Sequence, residues 1–385
     1  MRLLHTSDWH VGKTIRGRSR TEEFHAVLDE VAGIAMQEKV DAVLVSGDLY
    51  EHRSASPDAD ALIFQTFVRL YEARIPMVII PGNHDASTRL EALAALLKPI
   101  HIHAVPRVAR PDAGGVVEIA SRDGVDTASI ACVPFVPERR FGDAASLFEG
   151  SEGWYQSYAD GLGLLLEHMA RAFRPDRVNI LMAHLFTDGA LLGGGEREIS
   201  IGMAYAISPS RLPGTATYIA LGHVHKPQAV KGAPSPTRYA GSLLQLDFGE
   251  VDQTKSVSLI EATAGAPARV SEIRLRSGRA LKDVSGTLEE LQQRSGEFGD
   301  AYLRVVVNTG GPVPNIVDAV REILPNAVDI RLDYPRQDVV SDRQLSNLEP
   351  LEQYLAYYRT AHGAEPHPDL VAAFNEVLEL EREAN

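Results

Sequence analysis

Residues 2–13, RLLHTSDWHVGK, run from an apolar stretch straight into Asp8 and His10, and residues 40–52, VDAVLVSGDLYEH, do the same with Asp48. The pattern returns three more times: IPMVIIPG before Asn83 and His84, RVNILMA before His184, and ATYIALG before His223 and His225. Short apolar runs bounded by turn residues read as buried β-strands. Between them lie helical patterns. Residues 21–39 carry Phe24, Val27, Leu28, Val31, Ile34 and Ala35 at helical spacing, with Thr21 as the expected N-cap, and 57–73 and 86–97 are similarly amphipathic. Strand–helix–strand alternation predicts an α/β fold with parallel connections. Segments 237–261 and 268–276 read as shorter strands and predict a second, more antiparallel sheet packed on the first.

In open α/β sheets the carboxyl ends of the strands line one crevice. Seven ligand-type residues then share it: Asp8, His10, Asp48, Asn83, His184, His223 and His225. Hard oxygen donors mixed with imidazole suit small divalent cations. One cation leaves several of these groups unused. Two cations use all of them if one carboxylate bridges, and Asp48 at a strand end is the best placed. Two dications against two aspartates leave the site at about +2, which attracts hydroxide and a phosphodiester. The expected reaction is hydrolysis by in-line attack. His84, next to Asn83, is expected to stabilise charge or donate a proton to the leaving oxygen, with Asp85 orienting its ring. Lys13, Arg16, Arg18 and Arg20 follow the first ligand pair, either as phosphate contacts at the rim or as a solvated loop. His52, four residues after Asp48, stands open between substrate contact and solvent. His5, His25, His101, His103, His168, His362 and His367 lack a strand-end context and read as structural or solvated.

The chain has 385 residues, enough for two or three domains, and 44% hydrophobic with 23% charged residues is an ordinary globular balance. A net charge of −14 argues against coating nucleic acid by bulk electrostatics but leaves a local groove open. Cys132 is the single cysteine, so no intrachain disulfide forms, and the early His5, Asp8 and His10 displace any signal-peptide core. A cytoplasmic protein without membrane spans is expected. After residue 278 the texture changes. Residues 279–338 read as a small α+β unit with strands at 301–308 and 327–333 around a helix at 315–323. Within 346–385, Leu348, Leu351, Leu355 and Tyr358 mark one helix stopped by Gly363. Asp369 is the expected cap of a second, with Leu370, Phe374, Val377 and Leu378 on one face. This pair reads equally as a docking hairpin and as a cap on the core. The glycine-rich loop at 193–203 does not have phosphate-loop spacing.

The set D-W-H-V-G-K, S-G-D-L, P-G-N-H-D, A-H-L and L-G-H-V-H-K-P resembles the calcineurin-like metallophosphoesterases. More narrowly it looks like the SbcD-type nuclease subunits of bacterial SbcCD complexes, on the strength of G-G-G-E-R-E-I-S-I-G at 193–202 and G-S-L-L-Q-L-D-F-G-E at 241–250. The resemblance implies a sandwich of two β-sheets flanked by helices over 1–278, an α+β capping domain at 279–338, and a helical pair at 346–385 that binds the coiled coil of an SbcC-type ATPase. It implies one metal on Asp8, His10, Asp48 and His225, another on Asp48, Asn83, His184 and His223, and His84 as the catalytic histidine. The metals are then most often Mn²⁺, with Mg²⁺ possible. The activities implied are 3′→5′ exonuclease on duplex DNA and ATP-dependent endonuclease on hairpins, in end processing, repair, recombination and replication. Homodimerisation through 57–73 and 86–97 is also implied. Val11 and Glu51 depart from residues common in the family, at positions not expected to ligate metal. A small-molecule phosphodiesterase of the same fold, acting for example on cyclic nucleotides, would not need the long extension after 278. A non-cutting scaffold would not need seven converging ligands.

Overall fold

The computed structural model describes residues 1–148, 157–196, 206–334 and 348–384. The chain forms two compact units, Met1–Leu281 and Lys282–Asn385. The first opens with β1 (Arg2–Thr6), α1 (Thr21–Gln37), β2 (Ala42–Ser46), α2 (Pro57–Glu72), β3 (Met77–Ile80), α3 (Ser87–Leu97) and β4 (Ile102–Ala104). It continues with β5 (Val116–Ala120), β6 (Thr127–Val133), α4 (Phe141–Ala145), α5 (Tyr158–Ala170), β7 (Val178–His184), β8 (Tyr218–Gly222), β9 (Gln228–Ala229) and β10 (Thr237–Tyr239), and closes with β11 (Ser256–Glu261) and β12 (Arg269–Arg274). Helix starts follow local chemistry. Ser56 caps α2 by accepting the N–H of Ala59, with Pro57 in the first turn. Thr21 does not cap α1. It is the first helical residue, and Arg20 holds the cap position with its side chain buried on Glu23.

Two six-stranded sheets lie face to face, in the orders β12-β11-β1-β2-β3-β4 and β5-β6-β7-β8-β10-β9. β1 to β4 run parallel, as do β6, β7, β8 and β10. Alternate side chains serve two cores. Leu3, Leu44, Val78 and Ile80 meet Ile130, Ile180, Met182 and Ala220 between the sheets. Leu4, Val43, Val45 and Ile79 face outward under α1 to α3, and Leu181, Ala183, Ile219 and Leu221 lie under α5. Strands covered on both faces read as predominantly apolar runs, which is how they announced themselves. Of the strands predicted at 237–261 and 268–276, only the first, β10, joins the second sheet. β11 extends the first sheet antiparallel to β1 and β12 pairs antiparallel to β11, β10 lies beside β8, and 240–255 is loop with one short turn of helix at Phe248–Glu250.

The second unit, taken by itself, holds β13 (Leu281–Gly286) from its second residue on, α6 (Leu288–Gln293), β14 (Tyr302–Asn308), α7 (Ile316–Ile323) and β15 (Ala327–Asp333), then α8 (Pro350–His362) and α9 (Pro368–Ala384). Its three strands pair in the order β13-β14-β15 over a core of Val305, Val307, Leu291 and Val320. Gly363 ends α8 in the left-handed conformation (φ 64°), as its position predicts. Asp369 lies in the first turn of α9 rather than capping it, and its N–H is directed at His367 Nδ1. Tyr354 stacks on Phe374 with ring centroids 4.1 Å apart, joining the two helices. Residues 335–347, the end of one predicted segment and the start of the next, lie outside the described residues. Among those described, no helix is long and apolar enough to cross a membrane.

Candidate metal centre

The carboxyl ends of β1, β2 and β3 in one sheet and of β7 and β8 in the other open onto the same point. Ser46 Oγ donates to Ala220 O at 3.1 Å, tying β2 to β8 there. Beyond β1 and β2 the chains keep pairing: Asp8 N–H donates to Gly47 O (2.9 Å), His10 N–H to Asp48 O (3.0 Å) and Val11 N–H to Leu49 O (3.0 Å). That irregular ladder turns Asp8, His10 and Asp48 into left-handed backbone (φ 50°, 49° and 53°), and His223 has φ 100°. Such conformations cost about 1–3 kcal/mol each. One buried Val or Leu contributes about 1.5–3 kcal/mol, so β2, buried at all five positions, offsets much of that strain. The glycines in SGD and PGNH are required by crowding. A Cβ on Gly47 would stand 2.3 Å from His184 Nδ1, and one on Gly82 would stand 2.2 Å from Asp48 Oδ1.

All seven expected ligand residues are buried and drawn together. Asp8, His10 and His225 form one potential cation cluster, Asp8, Asp48 and His184 a second, and His10, Asp48 and His84 a third. Asp48 Oδ2 lies 3.4 Å from His184 Nε2 and 3.7 Å from His10 Nε2. Asn83 Oδ1 lies 3.0 Å from His184 Nε2 and 2.9 Å from His223 Nδ1. Asp8 receives the His223 N–H on both oxygens, at 3.0 and 3.2 Å. Three of the rings are fixed from behind: His10 Nδ1 on Glu51 Oε2 (2.9 Å), His184 Nδ1 on Ser46 O (2.8 Å) and His225 Nδ1 on Glu250 Oε1 (3.0 Å). An acceptor behind Nδ1 puts the proton there and leaves Nε2 as the ligating atom.

This donor set fits divalent cations. In the neutral tautomer set by Ser46 O, His184 Nε2 is a bare lone pair aimed at Asn83 Oδ1 and Asp48 Oδ2, and acceptors that close need a proton or a cation between them. His10 Nε2 is buried without a hydrogen-bond partner. Without a cation the charges adjust. Burial pulls the His184 imidazole down, but Asp48 and Asp8 outweigh it and push it up to about 9. Burial pushes Asp48 up, and His184, His10 and His84 more than reverse this, holding the carboxylate well below its usual range. Burial raises Asp8. A cation at His184 Nε2 therefore displaces a proton anywhere below about pH 9. Between pH 6 and 8 the apparent affinity for Mn²⁺ is expected to rise about tenfold per pH unit, with proton release visible by calorimetry in buffers of different ionisation enthalpy. Affinity indifferent to pH over that range would remove His184 from the ligand set.

Other expected roles change. Asp85 does not hold the His84 ring. Its carboxylate is spent on the N–H groups of Leu49, Tyr50 and Gly82, at 3.2, 3.0 and 2.9 Å, and so staples the β2 loop to the β3 loop. His84 is fixed instead by Glu51 O, 2.8 Å from Nδ1, while its N–H donates to Asp48 Oδ1 at 2.8 Å. Burial pulls its imidazole down to about 4, against Asp48. Lys13 is committed to Glu51 Oε1 at 2.9 Å and supports the carboxylate behind His10. Arg20 is buried on Glu23, and the Arg16 guanidinium lies over the Phe248 ring. Arg18 and His52 are exposed.

Sequence reasoning missed the residues behind the expected ligands. Glu51 and Glu250 hold two of the imidazoles. Burial pushes both carboxyls up, but the hydrogen bonds and charges of His10 and Lys13 at Glu51, and of Lys255 and His225 at Glu250, outweigh it and each falls to about 2. Lys255, itself buried, binds Glu250 Oε2 at 2.7 Å and His225 O at 2.9 Å, and Glu196 accepts the His225 N–H at 3.0 Å. The signal was present in the segments 193–202 and 241–250, which carry Glu196 and Glu250. Residues 197–205 lie outside the described residues.

Residues 1–227 match the calcineurin-like phosphoesterases, and the chain belongs to that family. The likeness extends along nearly the whole chain to more particular relatives. It is 29% identical to the SbcD subunit of nuclease SbcCD from Bacillus subtilis, over 98% of this chain and 97% of that one. The corresponding protein of Rhodobacter capsulatus is 32% identical over 84% and 85%, and that of Escherichia coli K12 28% over 91% and 90%. Within the family, the chain stands with the SbcD proteins.

Proposed function

We propose that this chain is a DNA nuclease subunit that hydrolyses phosphodiester bonds with two divalent cations, Mn²⁺ in the first place. The observation that carries this reading is the convergence of Asp8, His10, Asp48, Asn83, His184, His223 and His225 on one point, with His84 beside them. Two divalent cations, when bound, supply Lewis acidity and lower the pKa of water towards neutrality. The chain's own groups do the rest. Asp48 and Asp8 leave the centre cationic enough to draw in a phosphodiester. His84, neutral in the free site and held at Nδ1 by Glu51 O, presents Nε2 to a phosphate oxygen or the leaving oxygen. An approaching phosphodiester favours the protonated ring, which can then pass its proton on. Arg16, Arg18 and His52 remain proposed contacts to the substrate backbone.

The reading includes 3′→5′ exonuclease action on duplex ends and ATP-dependent hairpin cleavage, with an SbcC-type coiled-coil ATPase as partner. It is supported by likeness to SbcD proteins along nearly the whole chain, which disfavours a cyclic-nucleotide enzyme. Purified protein with Mn²⁺ should degrade linear duplex DNA and leave cyclic nucleotides intact. The opposite preference would overturn the assignment.

The partner is proposed to dock on α8 and α9, where Tyr357 (65%), Leu370 (44%) and Val377 (61%) stay exposed. Deleting 346–385 should abolish co-purification with the ATPase and spare Mn²⁺ binding at the centre. Undiminished co-purification would sink the docking role. A homodimer through α2 and α3 is proposed as well, supported by Val68, Tyr71 and Leu96, all exposed large apolar side chains. A cytoplasmic setting fits the buried, unpaired Cys132.

A further inference from the structure

The segment that leads out of the first unit, 276–281, is fastened by side chains at four backbone N–H groups. Arg276 and Ser277 donate to the Glu30 carboxylate at 2.9 and 2.8 Å, Arg279 donates to Glu23 Oε2 at 2.8 Å, and Leu281 donates to Gln245 Oε1 at 2.7 Å. Glu30 and Glu23 belong to α1. Gln245 belongs to the loop that carries Glu250, and its amide is used on both sides. Nε2 donates to the carbonyls of Glu250, Val251 and Gln253 at 2.9, 2.8 and 3.0 Å, closing the turn from which Glu250 reaches His225 Nδ1. Arg20, paired with Glu23, donates to Gln245 O. A continuous chain of hydrogen bonds thus runs from Leu281 through Gln245 and Glu250 to a metal-ligating imidazole.

We infer that Gln245 is a positioning residue that couples the anchoring of segment 276–281 to the geometry of His225 at the metal centre. The inference rests on the two-cation reading above and not on nuclease activity. One amide side chain cannot shift without loosening both the Glu250 turn and the Leu281 contact. Cation binding at His225, which draws Glu250 and its turn into one position, therefore also secures 276–281. Energetic coupling of this kind is reciprocal.

Hydrogen–deuterium exchange on the full chain, with and without Mn²⁺, tests it. In the unaltered protein, saturating Mn²⁺ is expected to slow exchange severalfold in a peptide covering 276–284, as expected when a locally opening segment is tied to a ligated site. Gln245→Met should weaken Mn²⁺ binding by calorimetry about tenfold, the lower end for groups that support metal ligands. Its 276–284 peptide should exchange fast whether or not Mn²⁺ is present. Full-strength Mn²⁺ binding by Gln245→Met would overturn the inference. So would an unaltered protein that binds Mn²⁺ without protecting 276–284, a result that needs no variant to fold. If the unaltered protein binds no Mn²⁺ at all, the two-cation reading falls with it.

Discussion

His84→Ala is expected to cut Mn²⁺-dependent cleavage of duplex DNA by about 10³-fold, within the 10²–10⁴ range of a positioned acid–base group, while two Mn²⁺ ions per chain still bind. The expectation rests on how His84 is held. Its backbone N–H donates to Asp48 Oδ1 and its ring Nδ1 faces Glu51 O at 2.8 Å, so main chain and imidazole are each held at the centre. Alanine keeps the backbone bond to Asp48 and removes only the ring. The loss should therefore appear in turnover and not in cation stoichiometry. Cleavage at the unaltered rate would take His84 off the reaction path. A matching loss of bound Mn²⁺ would make it a ligand, as its place in a cluster with His10 and Asp48 allows.

The second large effect is expected from Asp48→Asn. Asparagine keeps the size of the side chain and an oxygen to accept the His84 N–H, so the fold is retained. What is lost is the charge that serves two clusters at once, one with His10 and His84 and one with Asp8 and His184. Removing a supporting group commonly costs about 10–100-fold in metal affinity, so removing a bridging ligand should exceed 100-fold and abolish detectable cleavage. In the metal-free protein His184 should also titrate well below 9, because Asp48 is the largest of the influences that raise it. Calorimetry with Mn²⁺ and NMR titration of the imidazole check both. Two Mn²⁺ bound at full affinity would sink the bridging role.

The two-sheet fold and the group of residues gathered at its crevice were legible from the sequence because both are local. A strand buried on both faces is predominantly apolar along its length, so β1, β2, β3, β7 and β8 show as apolar runs, and a ligand-type residue at or just beyond the carboxyl end of each is delivered to the crevice. Helix spacing was equally visible, and α1, α2 and α3 fall within the predicted segments. What the tertiary structure alone decided concerns partners distant in sequence. β11 pairs with β1 and not in a second sheet, a partner more than 250 residues away that no local pattern names. Asp85 beside His84 invited a local pairing, yet a buried carboxylate goes where unpaired N–H groups are, and those belong to Gly82 and the β2 loop. Glu250 and Gln245 lie in a segment the sequence marked without showing their task, and Glu51 and Lys255 had no such mark, since a polar residue in a loop reads as solvated until the fold buries it. Residue order specified which atoms could bind a cation. Only packing specified which carboxylates hold those atoms in place, because a buried charge has a meaning only relative to the group it is buried against.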